Sequence, residues 1–290
     1  MTTTETFTHK ENSFRATRDG THIYYQSWTK PDAKKLLVIQ HGFGEHSGRY
    51  GNIVQRFSGE SVSIYALDAR GHGNSEGKRG HVEQFQYYID DLADLIHIAR
   101  EKEKKEKIIL LGHSLGGVIA LQYTLELNNQ DYMHALIVSS PGLKVKMDLE
   151  KEVKKVASQY LAIFFPDFTV DANLDLKFLT RDTSVIKAYQ NDKLTHGKIS
   201  FQMANNLFYL SRAIYHKVHN IKIPVYLFHG EADGIADIRG SRELFAKMTG
   251  DNKTFKSYPG LYHELMNELP KDRERVLDGI VEFLATTPEE

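Results

Sequence analysis

"KIILLGHSLGG", residues 107–117, runs from four aliphatics into a serine set among three glycines. Ile108 to Leu111 reads as a buried strand, because a short unbroken apolar run ending in turn residues suits a strand covered on both faces. The residues that follow, "GGVIALQYTLEL", read as a helix. Between them Gly112-His113-Ser114-Leu115-Gly116 fits G-x-S-x-G. Serine alone is a weak nucleophile, and glycine is unfavourable inside regular structure, so their crowding needs a cause. A sharp strand-to-helix turn supplies it: the turn holds the serine in strained backbone and lifts its Oγ clear of the sheet. Side chains two residues to either side would collide, which explains glycine at 112 and 116. The helix N-terminus behind the serine favours developing negative charge. A bare match to the pattern is common; strand and helix on the correct sides give it weight.

Other short aliphatic runs end the same way, in glycine or polar residues: "KLLVIQHG", "VSIYALDARG", "HALIVSSPG" and "IPVYLFHGEAD". They predict strands of a mostly parallel sheet. "SFRATRDGTHIYYQSW" sets Asp19-Gly20 between two extended segments, a hairpin signal. In "FQYYIDDLADLIHIA" the apolar positions Phe85, Tyr88, Ile89, Leu92, Leu95, Ile96 and Ala99 share one helical face. "RERVLDGIVEFLA" does likewise with Val276, Ile280, Phe283 and Leu284. The fold class is therefore α/β, a mostly parallel sheet flanked by helices on both faces, with ligands expected beyond the carboxyl ends of the strands. Residues 144–215 break the alternation. They offer no convincing aliphatic strand, look helical, and carry the apolar stretches "YLAIFFPDF" and "FQMANNLFYL". The expected division is a core of residues 1–143 and 216–290, with 144–215 a helical cap inserted between the sixth and seventh core strands.

The charge balance is even, 37 Lys and Arg against 38 Asp and Glu, so nothing favours nucleic acid as a partner. Cysteine is absent, which excludes disulfides, thiolate metal sites and a cysteine nucleophile. The polar start "MTTTETFTHKENSFRATRDG" does not read as a signal peptide, and no apolar run is long enough to span a bilayer. The expectation is a soluble, cytoplasmic protein. His216 and His219 share a helix spacing but lack a matching acidic cluster, so neither metal nor cofactor is expected.

A nucleophilic serine needs a base, and the base an orienting acid, in the chain order Ser, Asp or Glu, His. "IPVYLFHGEADGIAD" offers Asp233 just past a strand, with Asp237 as competitor. Asp237 suits the start of the next helix, where a carboxylate complements the dipole, so Asp233 is preferred. "KTFKSYPGLYHELMNE" supplies His263, and no other histidine follows Asp233. His113 is disfavoured as the base, since a side chain next to the nucleophile points away from it in such a turn. For the oxyanion, the backbone N–H groups of Leu115 and of Phe43 are the candidates. Phe43 stands in "IQHGFGEHSGRY" between Gly42 and Gly44.

"HGFGEHSGRY", "LDARGHGNSEGKRGH", "GHSLGG", "HGEAD" and "YPGLYHE" together resemble the monoacylglycerol lipase and lysophospholipase branch of the α/β-hydrolase superfamily, over roughly residues 15–285. The resemblance implies that Ser114, Asp233 and His263 are catalytic and that Phe43 and Leu115 form the oxyanion hole. It implies a cap forming an apolar acyl tunnel and a small polar pocket for glycerol, matched here by Glu45, Arg49, His113 and Tyr189. Two alternatives stand beside that pocket: Glu45 and Arg49 pair and fix their loop, and His113 packs behind the serine turn. Lysophospholipids or small carboxylic esters are the rival substrates for the same chemistry. A rival of another class is a catalytically silent receptor of this fold that binds a small ligand under the cap, against which the complete set of Ser114, Asp233, His263 and both oxyanion segments argues. Animal members carry cysteines near the site and a histidine where this chain has Met266. For "YLAIFFPDF" two readings compete: a lid that touches a membrane surface, placing the protein at its periphery, or Phe164, Phe165 and Phe168 packing the cap against the core.

Overall fold

The computed structural model describes residues 7–126, 128–144 and 161–287. An eight-stranded sheet carries the fold, in the order β1-β2-β4-β3-β5-β6-β9-β10. Its strands are β1 (Thr8–Arg15), β2 (His22–Thr29), β3 (Lys35–Gln40), β4 (Val62–Leu67), β5 (Ile108–His113), β6 (Met133–Ser139), β9 (Val225–Gly230) and β10 (Lys253–Tyr258). The β1–β2 and β2–β4 pairs are antiparallel and the rest parallel. Asp19 and Gly20 make the first hairpin: Asp19 Oδ1 accepts from Thr21 N at 3.0 Å, and Gly20 takes φ +76°.

The unbroken apolar runs follow from burial on both faces. Leu36, Val38, Ile108, Leu110, Leu136 and Val138 face one apolar layer. Their neighbours Leu37, Ile39, Ile109, Leu111, Ala135 and Ile137 face the other. Each buried aliphatic contributes roughly 1.5–3 kcal/mol relative to exposure. The first layer is closed by α2 (Gln86–Glu103) and α3 (Leu115–Leu125). The second is closed by α1 (Gly51–Arg56), through Ile53, and by the C-terminal helix (Pro270–Ala285), through Val276 and Ile280. The seven positions that the α2 periodicity marks as apolar are all buried.

Two features differ from the sequence expectation. β10 has no counterpart among the strands the aliphatic runs predict: "KTFKSY" alternates between half-buried and exposed residues until Tyr258, so it lacks the run that marks the inner strands. Between β6 and β9 the described residues add no strand to the large sheet, but they do hold a small antiparallel pair, β7 (Thr169–Asp171) with β8 (Lys198–Ser200). Three-residue strands are too short to leave a periodic signature. The same segment contains helical backbone at 161–164, α4 (Thr183–Asn191) and α5 (Phe201–Lys217). The expected cap limit at 215 falls inside α5. Residues 145–160 of the expected cap, with Tyr160 of "YLAIFFPDF", lie outside the described residues. The last two helices are α6 (Ile238–Lys247) and α7 (Pro270–Ala285). No helix among the described residues is long and apolar enough to cross a membrane.

Candidate active site

β5 ends at His113, and α3 begins at Leu115. Ser114, the single residue between them, has φ 54° and ψ −116°, a backbone conformation rare for a side-chain-bearing residue. The flanking glycines make the turn possible. A Cβ at Gly112 would stand 2.3 Å from Gly116 O, and one at Gly116 would stand 2.2 Å from Gln40 O.

Ser114 Oγ lies 2.9 Å from His263 Nε2, and His263 Nδ1 lies 2.7 Å from Asp233 Oδ2. A carboxylate only accepts, so Nδ1 carries the proton and Nε2 is left to accept the serine O–H. Asp233 sits beyond β9, and its other oxygen accepts from Ile235 N at 2.7 Å and Ala236 N at 2.9 Å. Burial alone would raise the Asp233 pKa, but facing His263 and the hydrogen bond from His229 hold it well below the ordinary carboxylate range. His263 is buried too, which disfavours its charged form; the charge of Asp233 outweighs this and raises its pKa. The His263 loop is tied to the segment after β7 by His263 N donating to Phe178 O and Glu264 N donating to Leu179 O. Asp237 has a different post, as N-cap of α6, accepting from Arg239 N at 2.9 Å.

The loop after β3 meets this chain of groups at Gly42, where a Cβ would stand 3.2 Å from Ser114 Cβ. Both flanks of Phe43 are fastened. Gly42 N donates to Glu45 Oε1 at 2.6 Å, and Gly42 O lies 2.7 Å from His41 Nδ1. Gly44 O accepts from His196 N at 3.0 Å and from Tyr189 Oη at 3.1 Å. The Phe43 ring is met edge-on by His72 and His196. Among the described residues, neither Phe43 N–H nor Leu115 N–H has a hydrogen-bond acceptor.

Glu45, Arg49 and Tyr189 act on this loop. Glu45 Oε1 takes both Gly42 N and the Tyr50 hydroxyl at 3.0 Å, and Oε2 takes Arg49 Nη1 at 2.8 Å. Arg49 also grips Glu264 with two bonds, 2.5 and 2.7 Å, and its guanidinium lies over the Tyr189 ring at 4.8 Å. Burial pushes Glu45 up, but Arg49, His113 and His41 bring it down to about 2. His113 Nδ1 lies 3.2 Å from Ser139 Oγ, and its ring centroid is 4.9 Å from that of His263. Burial, then the neighbouring His263, lowers its pKa to about 4, leaving it neutral at pH 7. Glu45, Arg49, His113, Glu264 and Met266 line a cavity of about 10 Å³, room for a water and not for glycerol. Glu264, Tyr50, His196 and His229 were not singled out from the sequence. Glu264 and His229 lie within the quoted strings "YPGLYHE" and "HGEAD", beside residues already chosen, but only the fold gives them partners.

Of the aromatic stretch, Ile163, Phe164, Phe165 and Phe168 are 56 to 75% exposed. Phe168 stacks on Phe201 at 5.7 Å. These side chains are therefore not packed into the core. Among the described residues no cluster of three His, Cys, Asp or Glu is set to hold a metal ion.

This sheet order, with a strained serine between strand and helix, defines an α/β hydrolase. The chain matches the family described as serine aminopeptidase, S33, over residues 31–270. It is 32% identical over 281 residues to a monoacylglycerol lipase of Mycolicibacterium smegmatis, covering 96% of this chain and 98% of the relative. It is 30% identical over 258 residues to phospholipase YtpA of Bacillus subtilis, covering 89% and 97%. The crystal structure of Paleococcus ferrophilus monoacylglycerol lipase superposes with a TM-score of 0.78 at 30% identity, covering 97% and 99%. The protein belongs to the S33 serine aminopeptidase family, in the monoacylglycerol lipase branch of the α/β-hydrolase superfamily, and is a hydrolase of the lipase and esterase type.

Proposed function

We propose that the protein hydrolyses the carboxylic ester of monoacylglycerols to fatty acid and glycerol through an acyl-enzyme. The observation that carries this reading is the unbroken run Ser114 Oγ to His263 Nε2, 2.9 Å, and His263 Nδ1 to Asp233 Oδ2, 2.7 Å. His263 takes the proton of Ser114 as its oxygen attacks the acyl carbonyl, and Asp233 stabilises the imidazolium that forms. The unpartnered N–H groups of Phe43 and Leu115 receive the oxyanion. His263 then protonates the departing glycerol, and water, activated by the same imidazole, releases the fatty acid. Nothing in the sequence requires a metal or cofactor.

Residues 144–215 serve as the cap over this site, and their exposed Ile163, Phe164, Phe165 and Phe168 are suited to transient contact with a lipid surface. For the glycerol pocket we assign Glu45, Arg49 and Tyr189 to holding the Phe43 loop, and His113 to the wall behind His263. The substrate assignment draws on the relatives named as monoacylglycerol lipases. A phospholipase reading draws on the Bacillus subtilis relative.

The test is a panel of long- and short-chain monoacylglycerols, lysophosphatidylcholine, triacylglycerol and p-nitrophenyl esters, run with Ser114→Ala. Monoacylglycerol should be preferred, and Ser114→Ala should lose more than about 10⁴-fold in kcat while remaining folded. Preference for lysophosphatidylcholine would overturn the substrate. Activity retained in Ser114→Ala, or no labelling of Ser114 by a fluorophosphonate, would overturn the mechanism.

A further inference from the structure

Asp233 is held by a second histidine. His229, the penultimate residue of β9, is fully buried. Its Nε2 lies 3.1 Å from Asp233 Oδ2, the same oxygen that faces His263, and 3.4 Å from Ala236 O. Its Nδ1 lies 2.7 Å from Ser241 Oγ on α6, and Ser241 is also fully buried. The chemistry of these partners fixes the protons. A carboxylate and a carbonyl can only accept, so Nε2 carries a hydrogen; in the neutral imidazole Nδ1 then accepts, and Ser241 donates to it. The result is one directed chain, Ser241 to His229 to Asp233, meeting the chain from Ser114 through His263 at a single carboxylate oxygen.

We propose that His229, oriented by Ser241, is a positioning residue that donates to Asp233 Oδ2 and thereby limits how strongly Asp233 draws a proton onto His263. The proposal rests on the reading of Ser114, His263 and Asp233 as the catalytic groups. Its physical content is a division of charge. Asp233 Oδ1 is occupied by two backbone N–H groups, so Oδ2 carries the charge that stabilises the imidazolium. A second N–H donor on Oδ2 withdraws part of that charge. With only one imidazole there, His263 would hold its proton to higher pH and spend less time as the free base at neutral pH. His263 otherwise faces His113 of β5, with Glu45 and Glu264 acting on it at longer range. None of these touches Asp233 Oδ2, so His229 is the group through which that oxygen is adjusted.

Three variants of the full chain test this, His229→Leu, His229→Gln and Ser241→Ala, each assayed for kcat and KM against pH on a soluble p-nitrophenyl ester. Fluorophosphonate labelling of the unmodified protein at Ser114 is established first, since its failure would strike the triad reading and not this one. In His229→Leu the acidic limb of kcat/KM should move up by about half to one pH unit, with kcat falling at pH 7 and KM little changed. His229→Gln, which keeps an N–H donor, should restore at least half of that shift. Ser241→Ala should move the limb in the same direction by less, because the imidazole loses the partner that sets its tautomer. The low-field ¹H NMR signal of the His263 Nδ1 proton should shift in step. If His229→Leu does not fold, Ser241→Ala and His229→Gln carry the test. A limb and a low-field signal that stay in place in every folded variant, whatever the change in stability, would overturn the proposal.

Discussion

Replacing Arg49 by Met should destabilise the fold and do so in a pH-dependent way. Arg49 is 9% exposed in its side chain, between Glu45 at 4% and Glu264 at 5%. Two buried carboxylates thus share one guanidinium, and methionine fills much of its volume without its charge. Removing one partner from a buried ion pair costs about 3–5 kcal/mol. For a domain of this size each kcal/mol lowers Tm by roughly 2–4 °C, so a fall on the order of 10 °C is expected near pH 7.5. The sign with pH follows from the carboxyls. In the parent protein Glu45 is held down to about 2. Its contribution is full above the unfolded value and is lost as pH falls toward about 2. In the variant, burial without Arg49 raises the folded pKa. The carboxyl then favours folding below the unfolded value and loses that contribution as pH rises through the folded one. The gap between the two proteins should therefore widen from pH 5 to pH 8.5. Urea unfolding across that range measures it. A gap below about 1 kcal/mol at pH 8, or one constant with pH, would refute the reasoning. So would a raised KM for monoacylglycerol with stability intact, which would mean that Arg49 contacts substrate instead of holding Glu45 and the Phe43 loop.

Asp233→Asn should lower kcat by about 10⁴-fold, whereas Asp237→Asn should leave kcat nearly unchanged and cost at most about 1 kcal/mol, since that side chain caps α6; kinetics and melting of the pair check both. Gly116→Ala drives a methyl into Gln40 O and His41 O, and should cost about 3 kcal/mol or more with loss of activity, read by thermal melts and by fluorophosphonate labelling. Changing Phe164 and Phe165 together to Ser should leave turnover of a soluble p-nitrophenyl ester intact. It should weaken sedimentation with lipid vesicles by at least about tenfold, given roughly 1.5–3 kcal/mol per buried aromatic; equal sedimentation would remove those side chains from any lipid contact.

The inner strands could be read from sequence because both of their faces are buried, so every position in "IILL" or "LLVI" must be apolar. β10 could not. As the edge strand beside β9 it alternates, with Lys253 and Lys256 among its residues, and only the pairing edge of β9 makes it a strand. The same contrast runs through the candidate site. Ser114 announces itself through local geometry, because the glycines it needs are two residues away. Asp233 and His263 were reachable by chain order and by the lack of any later histidine, which is an argument by elimination and says nothing of distance. Glu264 and Arg49 meet across 215 residues, and no local pattern encodes that meeting.

His229 is the sharper case. It stands four residues before Asp233 in "HGEAD", where the aspartate carries the recognisable signal, and in isolation a strand-end histidine looks like packing. Its role depends on a proton count that only the assembled partners impose. With Asp233, Ala236 O and Ser241 around it, one tautomer of the neutral ring alone satisfies every contact, and that tautomer aims a donor at the oxygen His263 uses. A buried histidine whose one partner was a hydroxyl, which both donates and accepts, would leave the tautomer open and carry no such consequence. Function here is legible from sequence where it depends on backbone strain. Where it depends on which of two nitrogens holds a hydrogen, it needs the fold.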